Sequence, residues 1–268
     1  ISFWPTNQLV MAYVRTVITL IFTFYLFMYL KFKPAPMFIA TILYGMSTVM
    51  TYYNFTWSFY GNLLIMLPMS IWAMERFFRE RKLGWFIFAI TFTLFTNFYF
   101  SYYEAVVLGF YFIYRLITVH PQDIVNRWQK FYILVIATLL SVLSSLFGLY
   151  TGVSSFLNND RSQNPKFGIT FLTNLFEKNY NIFTDGFYIT ISIIVIIALF
   201  SFKLYQHYYY KLFAVATWLL LIGSLSQWFD SAFNGFSLPQ RRWVYFLALS
   251  LGALIALFIQ HLSELSLK

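Results

Sequence analysis

Between Lys82 and Arg115 the chain carries one charge, Glu104, in a run of Phe, Tyr, Leu, Ile and Thr long enough to cross a lipid bilayer more than once. In water such a run would leave apolar surface uncovered. In lipid it must satisfy every backbone N–H and C=O internally, which leaves helices or a closed barrel. Similar runs recur, and at about 20 mostly apolar residues per crossing they read as nine candidate spans. These lie near residues 10–30, 36–53, 59–74, 85–99, 104–119, 131–150, 187–203, 212–229 and 243–260. The expected fold is an all-α polytopic membrane protein. Composition supports it: 10% of residues are charged and 60% hydrophobic, whereas a soluble domain carries about 25% charged residues. A soluble enzyme is excluded. The 24% aromatic content suits belts at the two membrane faces and argues against disorder, collagen-like and coiled-coil chains. With no cysteine there is no disulfide framework, thiolate nucleophile or zinc–thiolate site.

The net charge of +9 would suggest nucleic acid in a soluble protein. Here it reads as topology. Taking connections alternately, Lys31, Lys33, Arg76, Arg79, Arg81, Lys82, Arg115, Arg127, Lys130, Lys203, Lys211 and Lys268 fall on one side. Arg161, Lys166, Lys178, Arg241 and Arg242 fall on the other, and Arg15 lies within the first span. The richer side marks the cytoplasm, so the N-terminus is expected outside and the C-terminus inside, with no nucleic-acid partner. Residues 85–120 are flanked by cytoplasmic charge on both sides and should therefore go out and return, turning near residues 97–104. The first span enters from outside, yet the chain opens at Ile1 without a signal peptide. A fragment is expected, preceded by an odd number of spans with an outer loop and followed by a further region. Residues 151–186 form the one long polar stretch, read as an outer loop that can include a short interfacial helix.

The three histidines, His120, His207 and His261, fall at cytoplasmic ends of spans and lie far apart in this pattern, so no metal cluster is expected. Glu75, Glu80, Asp123 and Glu264 are inside, whereas Glu104, Asp160, Glu177, Asp185 and Asp230 are outside or at the outer boundary. Any reaction is expected at the outer face. Asn97, Ser101 and Glu104 share one face if the tip of the out-and-back segment is helical. Ionisable groups at membrane depth usually line a cavity or pathway, although a charged cap on an exposed tip would look the same in sequence. Downstream, the loop from Asp230 through Asn234-Gly235 and Leu238-Pro239 to Arg241-Arg242-Trp243 places two arginines outward, against the positive-inside bias. That pair suits a bidentate phosphate clamp, the turn residues could bring backbone amides to the same group, and snorkelling to lipid head groups is the alternative. Arg15 near an outer end and Trp57 in an expected outer turn over residues 53–59 also read as interfacial.

Residues 53–57, Leu67-Pro68, Ala73-Met74-Glu75-Arg76, Thr96-Asn97-Phe98-Tyr99-Phe100, Phe233-Asn234-Gly235-Phe236-Ser237 and Arg242-Trp243 together resemble the YfhO-like bacterial membrane proteins. The resemblance covers nearly the whole chain. It implies a GT-C-like fold and a glycosyltransferase that moves a sugar from a polyprenyl-phosphate carrier to a cell-envelope polymer, teichoic or lipoteichoic acid, in a bacterial cell membrane. It also implies that the catalytic carboxylate lies in an outer loop upstream of Ile1. In that setting Arg242 and Arg241 would bind the phosphate. Asn97, Tyr99 and Glu104 would bond sugar hydroxyls, Trp57 or Tyr103 would stack on a sugar face, and Asn234 would shape the loop. No cofactor is evident, and the outer carboxylates form no recognisable ligand set, so a divalent metal is left open. A flippase or transporter of lipid-linked sugars and a non-catalytic envelope-synthesis scaffold stand as rival readings.

Overall fold

The computed structural model describes residues 4–56, 58–158, 192–236 and 241–265. Among them all regular structure is helical: α1 (Trp4–Tyr29), α2 (Pro34–Gly45), α3 (Thr48–Thr56), α4 (Ser58–Glu80), α5 (Gly84–Thr96), α6 (Phe98–Ile117), α7 (Arg127–Ser144), α8 (Leu146–Leu157), α9 (Ile193–Phe200), α10 (Tyr208–Gly223), α11 (Gln227–Phe233) and α12 (Val244–Gln260). The chain divides into two compact units, Ile1–Ser58 with Phe167–Lys268, and Phe59–Lys166.

In the first unit α12 is the core. Leu247, Leu249, Ala253, Leu254 and Ala256 are fully buried, as a helix that is apolar on every side must be. It packs against α2 and α10. Gly252 permits the close approach of α2, because a Cβ there would lie 3.2 Å from the Ala40 carbonyl oxygen. The α10 contact carries a polar link that lipid or core would otherwise leave unsatisfied. Thr217 Oγ1 and Ser250 Oγ lie 2.7 Å apart, and Ser250 Oγ donates to the Phe213 carbonyl at 3.0 Å. Helix α1 buries Ala12, Thr19, Thr23, Leu26 and Phe27 but exposes Val10, Val14, Val17, Ile21, Tyr25 and Met28. These recur at three- and four-residue intervals and form one apolar stripe, costly in water and at home in hydrocarbon.

In the second unit α4 to α8 pack together, and the reversal between α5 and α6 is set by one residue. Asn97 is extended, with φ −160°, and its side chain accepts from the Phe100 N–H at 3.2 Å. Thr93 and Glu104 hydrogen-bond across this break. In a continuous helix they would be about 16 Å apart along the axis, so the contact requires the chain to fold back at Asn97.

Each of the nine candidate spans overlaps at least one of these helices, α9 in the case of residues 187–203. Among the described residues, helix Asn7–Tyr29 alone is long and apolar enough to cross a membrane by itself, or up to four spans arise if each bent pair is one. The pairs are α2 with α3, α7 with α8 and α10 with α11, bent by 42°, 73° and 113°. Helices α4 and α6 are long but carry Glu75, Arg76, Glu104 and Arg115. Two boundaries differ from expectation. Residues 53–56 belong to α3 rather than to a turn, because Asn54 is buried and donates to the Ala12 carbonyl and Thr16 Oγ1 of α1, at 2.7 and 2.9 Å. The expected loop over 151–186 begins as helix, since α8 runs to Leu157, and residues 159–186 lie outside the described residues.

Candidate functional site

The expected site falls into two parts, one in each unit, and each is described by itself. In the second unit α6 carries Ser101, Tyr103 and Glu104 on its buried side. Glu104 is 1% exposed, so it does not cap an open tip. Ser70 Oγ on α4 donates to its Oε1 at 2.7 Å and Thr93 Oγ1 on α5 donates to its Oε2 at 3.1 Å. One carboxylate therefore joins three helices, with each oxygen served by a hydroxyl. Asn97 and Tyr99 are half-buried, and Tyr103 is wholly buried. Tyr99 meets Phe100 and Tyr103 edge-on at 5.1 and 6.0 Å, and Tyr60 meets Phe100 at 4.9 Å. The result is an aromatic wall beside a buried carboxylate. Chemically it can hold a polar group through the half-buried Asn97 and Tyr99, whereas Glu104 and Tyr103 are spent on packing. Ser70 and Thr93 are partners that sequence reasoning did not name. The local signal was Thr93, one helical turn before the Asn97 break.

In the first unit the loop ahead of α12 is organised by Asp230. It is 1% exposed on α11. Trp243 Nε1 donates to its Oδ1 at 2.6 Å, and Arg241 Nε lies 3.5 Å from its Oδ2. Trp243 is fully buried, with Phe229 edge-on at 5.3 Å and Phe233 at 5.8 Å. Arg241 is 6% exposed and Arg242 is half-buried. Arg241 is ion-paired with Asp230. Asn234 is 6% exposed and terminates α11. Gly235 follows with φ +62°, and the Phe236 N–H donates to the Ser231 carbonyl at 2.8 Å. This is the Schellman ending, in which a residue free of Cβ takes the left-handed conformation and an otherwise orphaned carbonyl is satisfied. The Asn-Gly turn was legible for that reason. Trp57 and Leu238-Pro239 lie outside the described residues.

Two further clusters were not expected. In the second unit Glu75, Arg115 and Lys130 are all at most 1% exposed. Arg115 Nε donates to Glu75 Oε1 at 2.6 Å and its Nη2 to Asp123 Oδ1 at 2.6 Å, while Lys130 Nζ donates to Asp123 Oδ2 at 2.6 Å. Tyr111 and Arg79 also donate to Glu75, at 2.7 and 3.1 Å. Phe78 lies against both cations, with Arg115 Cζ at 4.9 Å and Lys130 Nζ at 4.7 Å from its ring centre. Basic residues read as topology markers are thus also the fastening of α4, α6 and α7. Burial works against the charge on Asp123, but hydrogen bonds from Arg115 and Lys130 outweigh it and hold the carboxyl below its usual range. In the first unit the histidines correct the expectation of wide separation. His207 and His261 stack with ring centres 3.8 Å apart. His207 Nε2 lies 2.8 Å from Glu264 Oε2 and His261 Nδ1 lies 2.6 Å from Glu264 Oε1. The His261/Glu264 spacing at the end of α12 was readable locally; the arrival of His207 was not.

The whole chain, residues 1–268, matches the family described as bacterial membrane protein YfhO. The chain belongs to the YfhO family. It is 29% identical over 267 residues to the uncharacterized protein YfhO of Bacillus subtilis (strain 168), covering 99% of this chain and 30% of that protein's length. The chain therefore spans under a third of that relative's length. No solved structure matches it.

Proposed function

We propose that this YfhO-family chain is part of a multi-pass, GT-C-like bacterial membrane glycosyltransferase, with nine crossings, its N-terminus outside and its C-terminus inside. The enzyme takes a sugar from a polyprenyl-phosphate carrier and adds it to a cell-envelope polymer, teichoic or lipoteichoic acid, on the outer face. The observation that carries the reading is the start of α12: a half-buried Arg242 next in sequence to Arg241, which is buried and ion-paired with Asp230, itself hydrogen-bonded by Trp243. The positive-inside pattern assigns this loop to the outer face.

In the reaction the acceptor hydroxyl forms a bond to the sugar anomeric carbon while the bond from that carbon to the carrier phosphate breaks. The hydroxyl proton passes to a general base, and the phosphate leaves on its polyprenyl tail. Negative charge grows on that phosphate, and a guanidinium already in place stabilises it more in the transition state than in the ground state. Arg242 is assigned that role. Arg241 supports it by occupying Asp230, which would otherwise attract Arg242.

Sugar transfer from a synthetic polyprenyl-phosphate sugar, measured with the full-length protein in liposomes, tests this. Arg242→Ala should slow transfer about 100- to 1000-fold, the loss typical of one transition-state donor, without changing membrane insertion. Undiminished transfer would remove Arg242 from the mechanism. One observation favours a carrier-moving protein instead: Glu104, a carboxylate inside an apolar bundle, is the kind of residue that marks a membrane pathway. Movement of labelled carrier between leaflets without transfer would select that reading.

A further inference from the structure

We propose that His207, His261 and Glu264 bind one divalent transition-metal ion of the Zn2+ class, closing the end of α12 onto the turn that precedes α10. This inference is independent of the glycosyltransferase reading and uses none of the residues assigned to it.

Three side chains converge here. Glu264 meets His207 across a sequence separation of 57 residues, and the three side chains each place a ligand atom within 4.8 Å of the others. The carboxylate is divided between the two rings. Oε2 faces His207 and Oε1 faces His261, so each oxygen points to a different imidazole. The nearby ammonium of Lys203 is not bonded to that carboxylate; it donates to the main-chain carbonyl of Glu264. Gln206 Nε2 reaches Oε2 only at 3.5 Å. Tetrahedral zinc with bonds of about 2.1 Å holds its ligand atoms about 3.4 Å apart. The nitrogen–oxygen separations of 2.8 and 2.6 Å are hydrogen-bond spacings, so seating an ion requires each to open by less than about 1 Å and the two imidazoles, stacked 3.8 Å apart at 20°, to rotate out of the stack until their in-plane lone pairs converge. Glu264 has the freedom for this, because its side chain is 36% exposed and those of His207 and His261 are 31% and 15% exposed. Partial exposure also leaves an entry path and room for water to complete the coordination.

Two imidazoles with one carboxylate select the ion. Nitrogen donors favour Zn2+, Co2+, Ni2+ or Cu2+ over Mg2+ and Ca2+, which prefer oxygen. Two neutral imidazoles and one carboxylate leave a bound divalent ion with a net charge of +1, and the ring protons that now face Glu264 are displaced on loading.

The test uses the full-length protein in detergent, stripped with EDTA and titrated with Co2+ and, separately, with Zn2+ by equilibrium dialysis. Wild type should bind one more ion than His207→Ala or His261→Ala, with a tetrahedral Co2+ absorption band that both variants lack. The apparent affinity should fall by more than the ~10–100-fold that loss of an outer-shell partner costs. Zn2+ should also raise the melting temperature of wild type and of Arg242→Ala but not of the histidine variants. Glu264→Gln, which keeps a neutral side chain of the same shape, should fold and bind weakly, separating ligand loss from unfolding. Equal stoichiometry in wild type and both histidine variants would overturn the proposal. So would the absence of a Co2+ band in wild type, which would leave the cluster as a proton-shared clasp only.

Discussion

At the residue scale the first unit turns on Asp230, a buried anion that accepts from Trp243 and neutralises Arg241. Removing one partner of a buried pair leaves the other charge without compensation, a cost of about 3–5 kcal/mol. Asp230→Ala should therefore lower the melting temperature of the purified protein sharply. Asp230→Asn should fall between it and wild type, because the amide oxygen still accepts the Trp243 N–H. Equal melting temperatures for the three proteins would show that the base is not held this way. In the second unit Ser70→Ala takes the donor from Glu104 Oε1, and an unsatisfied buried acceptor costs about 1–3 kcal/mol. The sequence pointed to Glu104, Arg241 and Arg242 because ionisable residues stand out in apolar runs. It did not show that Arg241 is buried against Asp230 while its neighbour is half-buried, since that depends on where Asp230 lies.

At the scale of elements the legible features were those encoded by single residues. Asn97 ends α5 and caps α6, so Asn97→Ala should cost about 1 kcal/mol and loosen the Thr93–Glu104 contact, visible as faster amide exchange at the start of α6. Gly235 ends α11 in the left-handed region, where a Cβ is strained by roughly 1–2 kcal/mol. Gly235→Ala should reduce stability by that amount, and an unchanged unfolding curve would argue that the turn adapts. The end of helix α3 was not legible: Thr48–Tyr53 lay within the candidate span 36–53, but residues 53–59 read as an uncharged outer turn. The decisive contacts of Asn54 are to Ala12 and Thr16 on another helix. Packing thus extended a helix into residues that local pattern left as a turn.

Across the whole molecule the buried charge network makes a pH prediction. Asp123 titrates below its unfolded value near about 3.9, so its contribution is complete above that value and is lost as pH falls through the lower, folded value. The melting temperature of wild type should therefore decline more steeply below about pH 4 than that of Asp123→Asn, which has no such carboxyl to protonate. Parallel declines would separate Asp123 from acid stability. Because this chain has no cysteine, topology is also open to test. Lys82→Cys and Asn158→Cys, both at exposed positions, should react with an impermeant maleimide from opposite faces of the membrane, Lys82→Cys from the cytoplasm; labelling from one face would overturn the orientation. The sequence by itself determined that the chain is built from apolar helices, where most of them lie, and which Asn and Gly residues end them. Those properties follow from hydrophobic run length and local backbone chemistry. Only the tertiary structure decided that Arg115 joins Glu75 to Asp123, that Glu104 is sealed by two hydroxyls, and that His207 reaches His261 and Glu264. Such contacts join residues far apart in the chain, and many helix arrangements share the same apolar pattern until side-chain packing selects one of them.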